Sequence, residues 1–347
     1  MKHLIPSLQD DQKAADYLRQ LRWPTGVTCP RCGSDAVERR ERCDNGLQRF
    51  TWVPCAVRLG QQCAMCTDWT SSIFEESKVR SLDGLLVMGW WPLKLNATAI
   101  AAAAAIQERT AQRCIHRLDG GIYETYHLAP TRQLEHHIEA DECYQSAGSK
   151  GLPREVERHE RAPRPRGLQL RGRATAETGR PPLLGLVQRR DKTDQEAPAA
   201  QVSLEVLEHV RTATIKPIMT AKVKGGAQFF TDAYNIDHFA EANYDHRTVN
   251  HGAGEDARRD PDGTCVHCKT MEGIWSSLRH CLDHCKGISQ RFLHLRVARD
   301  EFLHNHGHLH WRQTFEVALR CLCSTTGDYW RRMAHQHRRM PLTLCYR

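Results

Sequence analysis

The chain has 347 residues, 40% hydrophobic and 26% charged, a globular composition with room for two or three domains, which excludes a disulfide-stapled miniprotein. Forty-nine basic against 41 acidic side chains leave a net charge of +8, a balance that favours a polyanionic partner, nucleic acid first. The most apolar stretch, 85–106, is interrupted by Pro92, Lys94 and Asn96 and falls short of the roughly 18 unbroken apolar residues of a membrane span.

The opening Met1-Lys2-His3-Leu4-Ile5-Pro6 lacks the apolar core of a secretory signal, so a cytoplasmic protein is expected. Its 15 cysteines and 20 histidines exceed ordinary usage, and in a reducing compartment cysteines read as metal ligands or small buried residues before disulfides. The first cluster is Cys29-Pro30-Arg31-Cys32-Gly33, two thiols aimed at one ion by a turn that the glycine permits. Its natural partner is Cys63-Ala64-Met65-Cys66, so Cys29, Cys32, Cys63 and Cys66 form the expected tetrahedral Zn²⁺ site. The 30 residues between the pairs exceed the common ribbon spacing of about 15 to 20. Cys43 and Cys55, inside that gap, are alternative ligands.

From Ser81 to Ile122 the residues predict helix: Leu82, Leu85, Leu86 and Met88 to Trp91, a break at Pro92, then an alanine-rich helix from Ala97 continuing to Leu118 and ended by Gly120-Gly121. Two helices beside a ribbon suit a DNA-binding helix-turn-helix, and equally a plain helical spacer, because the alanine run carries no base-reading side chains. Ile138 to Tyr144 reads as a short strand bearing acidic residues. Between Lys150 and Arg180, prolines block regular structure and arginines accumulate. An exposed basic loop is expected there, with Arg164, Arg166 and Arg171 contacting DNA phosphates in a sequence-independent, salt-sensitive way.

Pro182–Gln188 and Gln201–Leu207 have strand character, a helix is expected near 206–214, and Gln228-Phe229-Phe230-Thr231-Asp232 is a further strand ended by an acid. Asp245 to Asp260 suits loop and short strand. Thr270 to Cys285 has helical periodicity through Met271, Ile274, Trp275, Leu278 and Leu282, and Glu272 and Arg279 lie two turns apart on one face. Phe315–Leu322 predicts an amphipathic helix before a basic tail. Strands followed by mixed helices describe an α/β or α+β domain.

Phosphodiester chemistry needs a way to activate water or a hydroxyl and to neutralise charge on the transferred phosphate, which divalent cations held by carboxylates supply. Asp141 on one strand, Asp232 ending another and Glu272 on a helix meet that demand. Spacing alone does not single them out among 41 acidic residues.

The surrounding motifs do. Thr231-Asp232-Ala233-Tyr234, the run His246-Arg247-Thr248-Val249-Asn250-His251-Gly252-Ala253-Gly254-Glu255, and the run from Val266-His267-Cys268-Lys269-Thr270-Met271-Glu272-Gly273-Ile274-Trp275 to Arg279 resemble bacterial insertion-sequence DDE transposases that carry an N-terminal zinc ribbon. Glu139-Ala140-Asp141-Glu142 with Tyr144 looks like their first catalytic strand, and Ser72–Lys78 like the segment joining ribbon to helices. The resemblance covers about Cys29 to His306. It implies an RNase H-like mixed sheet flanked by helices, with Asp141, Asp232 and Glu272 as the triad holding Mg²⁺ or Mn²⁺. It further implies DNA-strand cleavage at element ends followed by strand transfer, Arg279 on DNA near the site, ribbon and helices on the terminal inverted repeats, and a homo-oligomer on DNA. The chain departs from the family at Lys269, where asparagine is usual, and at Ala233, where an acidic residue is common.

A competing reading takes Cys265, Cys268, Cys281 and Cys285, with His280 and His284 alongside, as a zinc finger, and the protein as a non-catalytic zinc-dependent DNA-binding protein. Cys143 or Cys114 as the nucleophile of a Cys/His hydrolase has no local signature. The expected organisation is a zinc-ribbon region over 1–80, a helix-turn-helix-like segment over 81–130, the RNase H-like catalytic domain over 131–310, and a basic helical tail over 311–347.

Overall fold

The computed structural model describes residues 10–30, 33–52, 64–129, 133–148, 179–190, 200–232, 243–250, 254–285 and 287–325, with Thr175, Tyr329 and Arg332. These fall into two compact units, one within 1–129 and 309–335 and one within 130–308.

In the first unit, helix α1 (Asp11–Arg22) starts where the Asp10 carboxylate accepts the Lys13 N–H at 2.7 Å, meeting a donor that the helix itself leaves unpaired. Its last turn grips a small sheet. Arg19 makes a two-pronged pair with the Asp68 carboxylate at 2.6 and 2.8 Å, and Arg22 donates to the carbonyls of Asp68, Thr70 and Ser71. That sheet is antiparallel, in the order β1 (Glu38–Arg42), β2 (Gln48–Trp52), β3 (Ala64–Thr67).

Three helices follow: α2 (Ser81–Trp90), α3 (Ala97–Ala104) and α4 (Glu108–Ile122). The alanine-rich helix therefore does not continue to Leu118. Ala105 adopts a left-handed conformation with φ of 56° and closes α3, and Gln107 begins α4. Nor do Gly120 and Gly121 end the helix, which runs on to Ile122 and into a wider turn at Tyr123–His127. Gly121 is there for close approach: a Cβ would meet Leu322 at 2.6 Å and Ile73 at 2.9 Å. Leu322 belongs to a C-terminal helix, Trp311–Ser324, that buries Phe315, Ala318 and Leu319 within this first unit instead of forming a separate tail.

The second unit is built on a mixed five-stranded sheet in the order β6-β5-β4-β7-β8, formed by β4 (His137–Tyr144), β5 (Pro182–Gln188), β6 (Gln201–Val206), β7 (Gln228–Asp232) and β8 (Asp245–Val249). β4, β5 and β6 are antiparallel neighbours; β4, β7 and β8 run parallel. Alternate residues of β4 face opposite sides. Ile138 and Ala140 pack with Leu184, Leu186 and Phe229 under helix α5 (Thr212–Lys222), through Ile215, Ile218 and Met219. α5 begins later than the sequence suggests because Val206 still pairs with Leu183 and the Leu207 N–H bonds to the Pro182 carbonyl, holding the chain extended.

On the other face lie α6 (Lys269–Asp283) and α7 (Gln290–Asn305). Met271, Ile274, Trp275 and Leu278 of α6 pack with Cys143, Leu183, Val187 and Leu204, each large apolar side chain contributing about 1.5–3 kcal/mol by its burial. α7 seals the β6 edge: Glu301 accepts the Leu204 N–H at 2.8 Å, and Asn305 bonds both backbone groups of Val202 at 2.7 and 2.8 Å. A hairpin of β9 (Arg258–Arg259) and β10 (Cys265–Val266) leads into α6. No helix among the described residues is long and apolar enough to cross a membrane.

Candidate active site

β4 and β7 are parallel neighbours in a register that sets Ala140 beside Thr231. Asp141 and Asp232 are the next residue on each strand, so they stand side by side on adjacent parallel strands, Asp232 as the last residue of β7 and Asp141 three residues before the end of β4. Parity puts both on the α6 face, with Glu139 and Phe230 two residues behind them. The carboxyl end of a parallel strand, where Asp232 stands, is where ligands bind in open α/β architectures.

Glu272 comes from the first turn of α6 and is exposed. Asp141 is pinned from two sides: its Oδ1 accepts the Glu142 N–H at 2.7 Å, and its Oδ2 accepts the Trp275 indole N–H at 2.9 Å. Burial pushes the Asp141 pKa above the usual carboxylate value, the two hydrogen bonds oppose that shift, and the negative charges of Asp232 and Glu272 add to it. Asp232 and Glu272 are thus each within electrostatic reach of Asp141. Arg279, two turns along α6 and exposed, is near enough to Cys143 on β4 for its charge to act on that thiol. It therefore lies on the same side of the sheet as the acids.

The same geometry weighs against thiol chemistry. Burial pushes the Cys143 thiol up to about 12 and the Cys114 thiol up to about 11, so neither supplies the thiolate that a hydrolase nucleophile requires. Cys268 is buried with Phe230, Val249 and Val266, and Cys281 lies on the packed side of α6. Among the described residues no group of three or more His, Cys, Asp or Glu side chains is already arranged around a metal-ion position, and this holds for Cys265, Cys268, Cys281 and Cys285 and for Asp141, Asp232 and Glu272 alike.

Two residues that sequence reasoning passed over belong to this site. Trp275 reads as a core position in the apolar periodicity, yet its indole N–H reaches Asp141. Glu139 reads as a flanking acid, yet it is wholly buried and binds the start of α6. The strand alternation that places Glu139 on the Asp141 face was the available signal.

In the first unit, Cys29 sits in a tight turn, its N–H bonded to the Ser34 carbonyl and its carbonyl accepting the Gly33 N–H, both at 2.8 Å. Gly33 takes φ of 73°, the left-handed conformation for which glycine is suited. Cys66 on β3 meets Cys29 beside Phe50 in a buried cluster with Val27 and Val37. Cys43 stands at the β1–β2 turn. Cys32, Cys55 and Cys63 lie outside the described residues, as do Arg164, Arg166 and Arg171 of the basic segment and Ala233.

Comparison with known proteins gives matching families for both units. Residues 133–302 match the family of the ISXO2-like transposase domain, and residues 9–68 match the transposase zinc-ribbon domain. Among curated proteins, a chain named as an uncharacterized protein in transposable element ISH50 of Halobacterium salinarum is 27% identical over 294 residues, covering 82% of this chain and 88% of the relative. No solved structure matches significantly.

Proposed function

The chain belongs to the insertion-sequence transposases that join a zinc ribbon to an ISXO2-like transposase domain, and from that premise we propose that it catalyses metal-dependent DNA-strand cleavage at the ends of an insertion sequence and transfer of the freed ends into target DNA. The observation that carries this reading is the adjacency of Asp141 on β4 and Asp232 on β7, parallel strands whose register sets Ala140 beside Thr231, with the charge of Glu272 acting on Asp141. We read the five-stranded mixed sheet as the RNase H-like domain that the resemblance implies.

The donor set fits a hard divalent cation. Mg²⁺ takes oxygen ligands, keeps several waters and is commonly held by one or two carboxylates together with substrate phosphates. Burial is the main cause of the raised Asp141 pKa, with the charges of Asp232 and Glu272 adding to it, and a bound cation would offset both effects. Asp141, Asp232 and Glu272 would hold Mg²⁺ or Mn²⁺, which when bound lowers the pKa of the attacking water or 3′-hydroxyl and offsets charge on the phosphate. The chain's own contribution is orientation. Trp275 and the Glu142 N–H fix the Asp141 carboxylate, the sheet fixes Asp232 on the adjacent strand, and α6 carries Glu272 in its first turn.

DNA contacts follow from charge and placement. Arg279 is assigned to the strand near the reacting phosphate, Arg164, Arg166 and Arg171 to backbone phosphates, and exposed Lys269 at the start of α6 to a further phosphate. Cys29 and Cys66, already together, are assigned with Cys32 and Cys63 to Zn²⁺. Ribbon and helices α3–α4 are assigned to the terminal repeats, the exposed Arg109, Gln112 and Arg113 of α4 supplying groups able to read base edges. Joining two ends implies at least a dimer on DNA.

The test is cleavage of a labelled DNA carrying the element's terminal repeats. Asp141→Asn, Asp232→Asn and Glu272→Gln are each expected to abolish cleavage while leaving end binding intact. Unchanged cleavage in any of them removes that residue from the site.

A further inference from the structure

Glu139 precedes Asp141 by two residues on β4, so both side chains face α6. Glu139 has no solvent exposure. Its Oε2 accepts the N–H groups of Thr270 and Met271 at 2.9 and 3.1 Å, and its Oε1 accepts the Thr270 hydroxyl and Arg189 Nε, both at 2.6 Å. Cys268, which precedes α6, makes no side-chain cap. The unpaired donors of the first helical turn are instead satisfied from a strand more than a hundred residues away in sequence, by a carboxylate that also complements the positive end of the helix dipole.

Arg189 completes the arrangement. It donates to the Cys265 and His267 carbonyls at 2.7 and 2.5 Å and lies 4.1 Å from the centre of the Phe230 ring on β7. The segment entering α6, the end of β5 and the strands bearing both aspartates therefore converge on one carboxylate.

We propose that Glu139 is a positioning residue: by locking the first turn of α6 to β4 it sets Glu272 against Asp141 and Asp232, and it acts through Glu272 instead of touching metal or DNA. This rests on the catalytic reading of those three acids. Glu139 is not itself a ligand, because its carboxylate is enclosed and both oxygens already accept paired donors. Charge and length both matter. Glutamine would turn an NH₂ group toward N–H or guanidinium donors, and aspartate is one methylene shorter.

The experiment uses the zinc-loaded full chain and follows Mn²⁺ binding by electron paramagnetic resonance in wild type, Glu139→Gln, Glu272→Gln and the double variant. Amide hydrogen exchange is read on the same proteins without Mn²⁺. Glu139→Gln is expected to weaken Mn²⁺ binding roughly tenfold or more, as loss of a ligand-orienting partner does. The double variant is expected to bind no more weakly than Glu272→Gln alone. Exchange at Thr270 and Met271 should accelerate while β5 and β6 amides stay protected.

Losses that add in the double variant, unchanged exchange at Thr270 and Met271, or a loss of protection spread over the whole sheet would each overturn the proposal. Thr270→Val, which deletes only the hydroxyl donor, should move Mn²⁺ affinity in the same direction by less, and it carries the test if Glu139→Gln does not fold. If wild type binds no Mn²⁺ outside the ribbon, the metal-dependent reading fails, and the exchange data alone decide whether Glu139 holds α6.

Discussion

The indole N–H of Trp275 donates to Asp141 across a position that has no side chain: Asp141 pairs with Gly185 on the neighbouring strand, and a Cβ there would meet the Trp275 ring at 2.7 and 2.8 Å. A glycine in the middle of a buried strand weakens it in isolation. Here it lets α6 lie close enough for a core tryptophan to serve as the hydrogen-bond partner of Asp141, a carboxylate of the proposed site.

Trp275→Phe keeps most of the ring and deletes the donor. A hydrogen bond to a charged group is worth about 1.5–3 kcal/mol, so single-turnover cleavage should slow by roughly 10- to 100-fold, with DNA-end binding unaltered. A wild-type rate in this variant would mean that Asp141 needs no such anchor.

Gly185→Ala should displace α6, because the new methyl would sit 2.1 Å from Met271 Cε as well as against Trp275. Overpacking of this kind costs about 1–3 kcal/mol. Thermal unfolding should show a lower Tm and cleavage should fall with it; an unchanged Tm would show that the helix is not seated so closely.

Asp141 carries a pKa raised by burial, so its charged form is less favourable in the folded chain than in the unfolded one. The resulting cost is fully present above the folded-state pKa and disappears as pH falls below the unfolded-state pKa. Without divalent metal at neutral pH, Asp141→Asn should therefore raise Tm while abolishing cleavage, and the gain should vanish in acid. Calorimetry at two pH values checks this; a lower Tm at neutral pH would contradict it.

Cys66→Ser should lower zinc content and terminal-repeat binding together, since Cys66 and Cys29 share one buried cluster in the ribbon. The acids proposed as catalytic lie in the other unit, so the Mn²⁺ binding proposed there should persist. Full zinc content measured in both Cys66→Ser and Cys29→Ser would refute the assigned ligands.

Much of the second unit was legible because its signals are local. Alternating or continuous apolar runs mark β4, β5, β6 and β7, and the spacing of Met271, Ile274, Trp275 and Leu278 marks α6. The misplaced elements depended on contacts far along the chain. Gly121 looks like a stop until Leu322 is seen against it, and Val206 looks helical until it pairs with Leu183. Helix α1 went unread although Asp10 and the spacing of Ala14, Ala15 and Leu18 announce it, because its polar face hides a short apolar stripe. Of the site, Asp141, Asp232 and Glu272 were visible only through motif resemblance. The roles of Trp275 and Glu139 are tertiary, fixed by which face of β4 meets α6.

The central claim is that Asp141 and Asp232 hold a metal that performs the cleavage, and the most direct test is the metal preference of Asp232→Cys on labelled terminal-repeat DNA. A thiolate is a softer ligand than a carboxylate and disfavours Mg²⁺ relative to Mn²⁺. Cleavage is predicted to be lost in Mg²⁺ and partly restored in Mn²⁺, with none in EDTA. Equal activity in both metals, or activity in EDTA, would contradict a role for Asp232 in holding the catalytic ion.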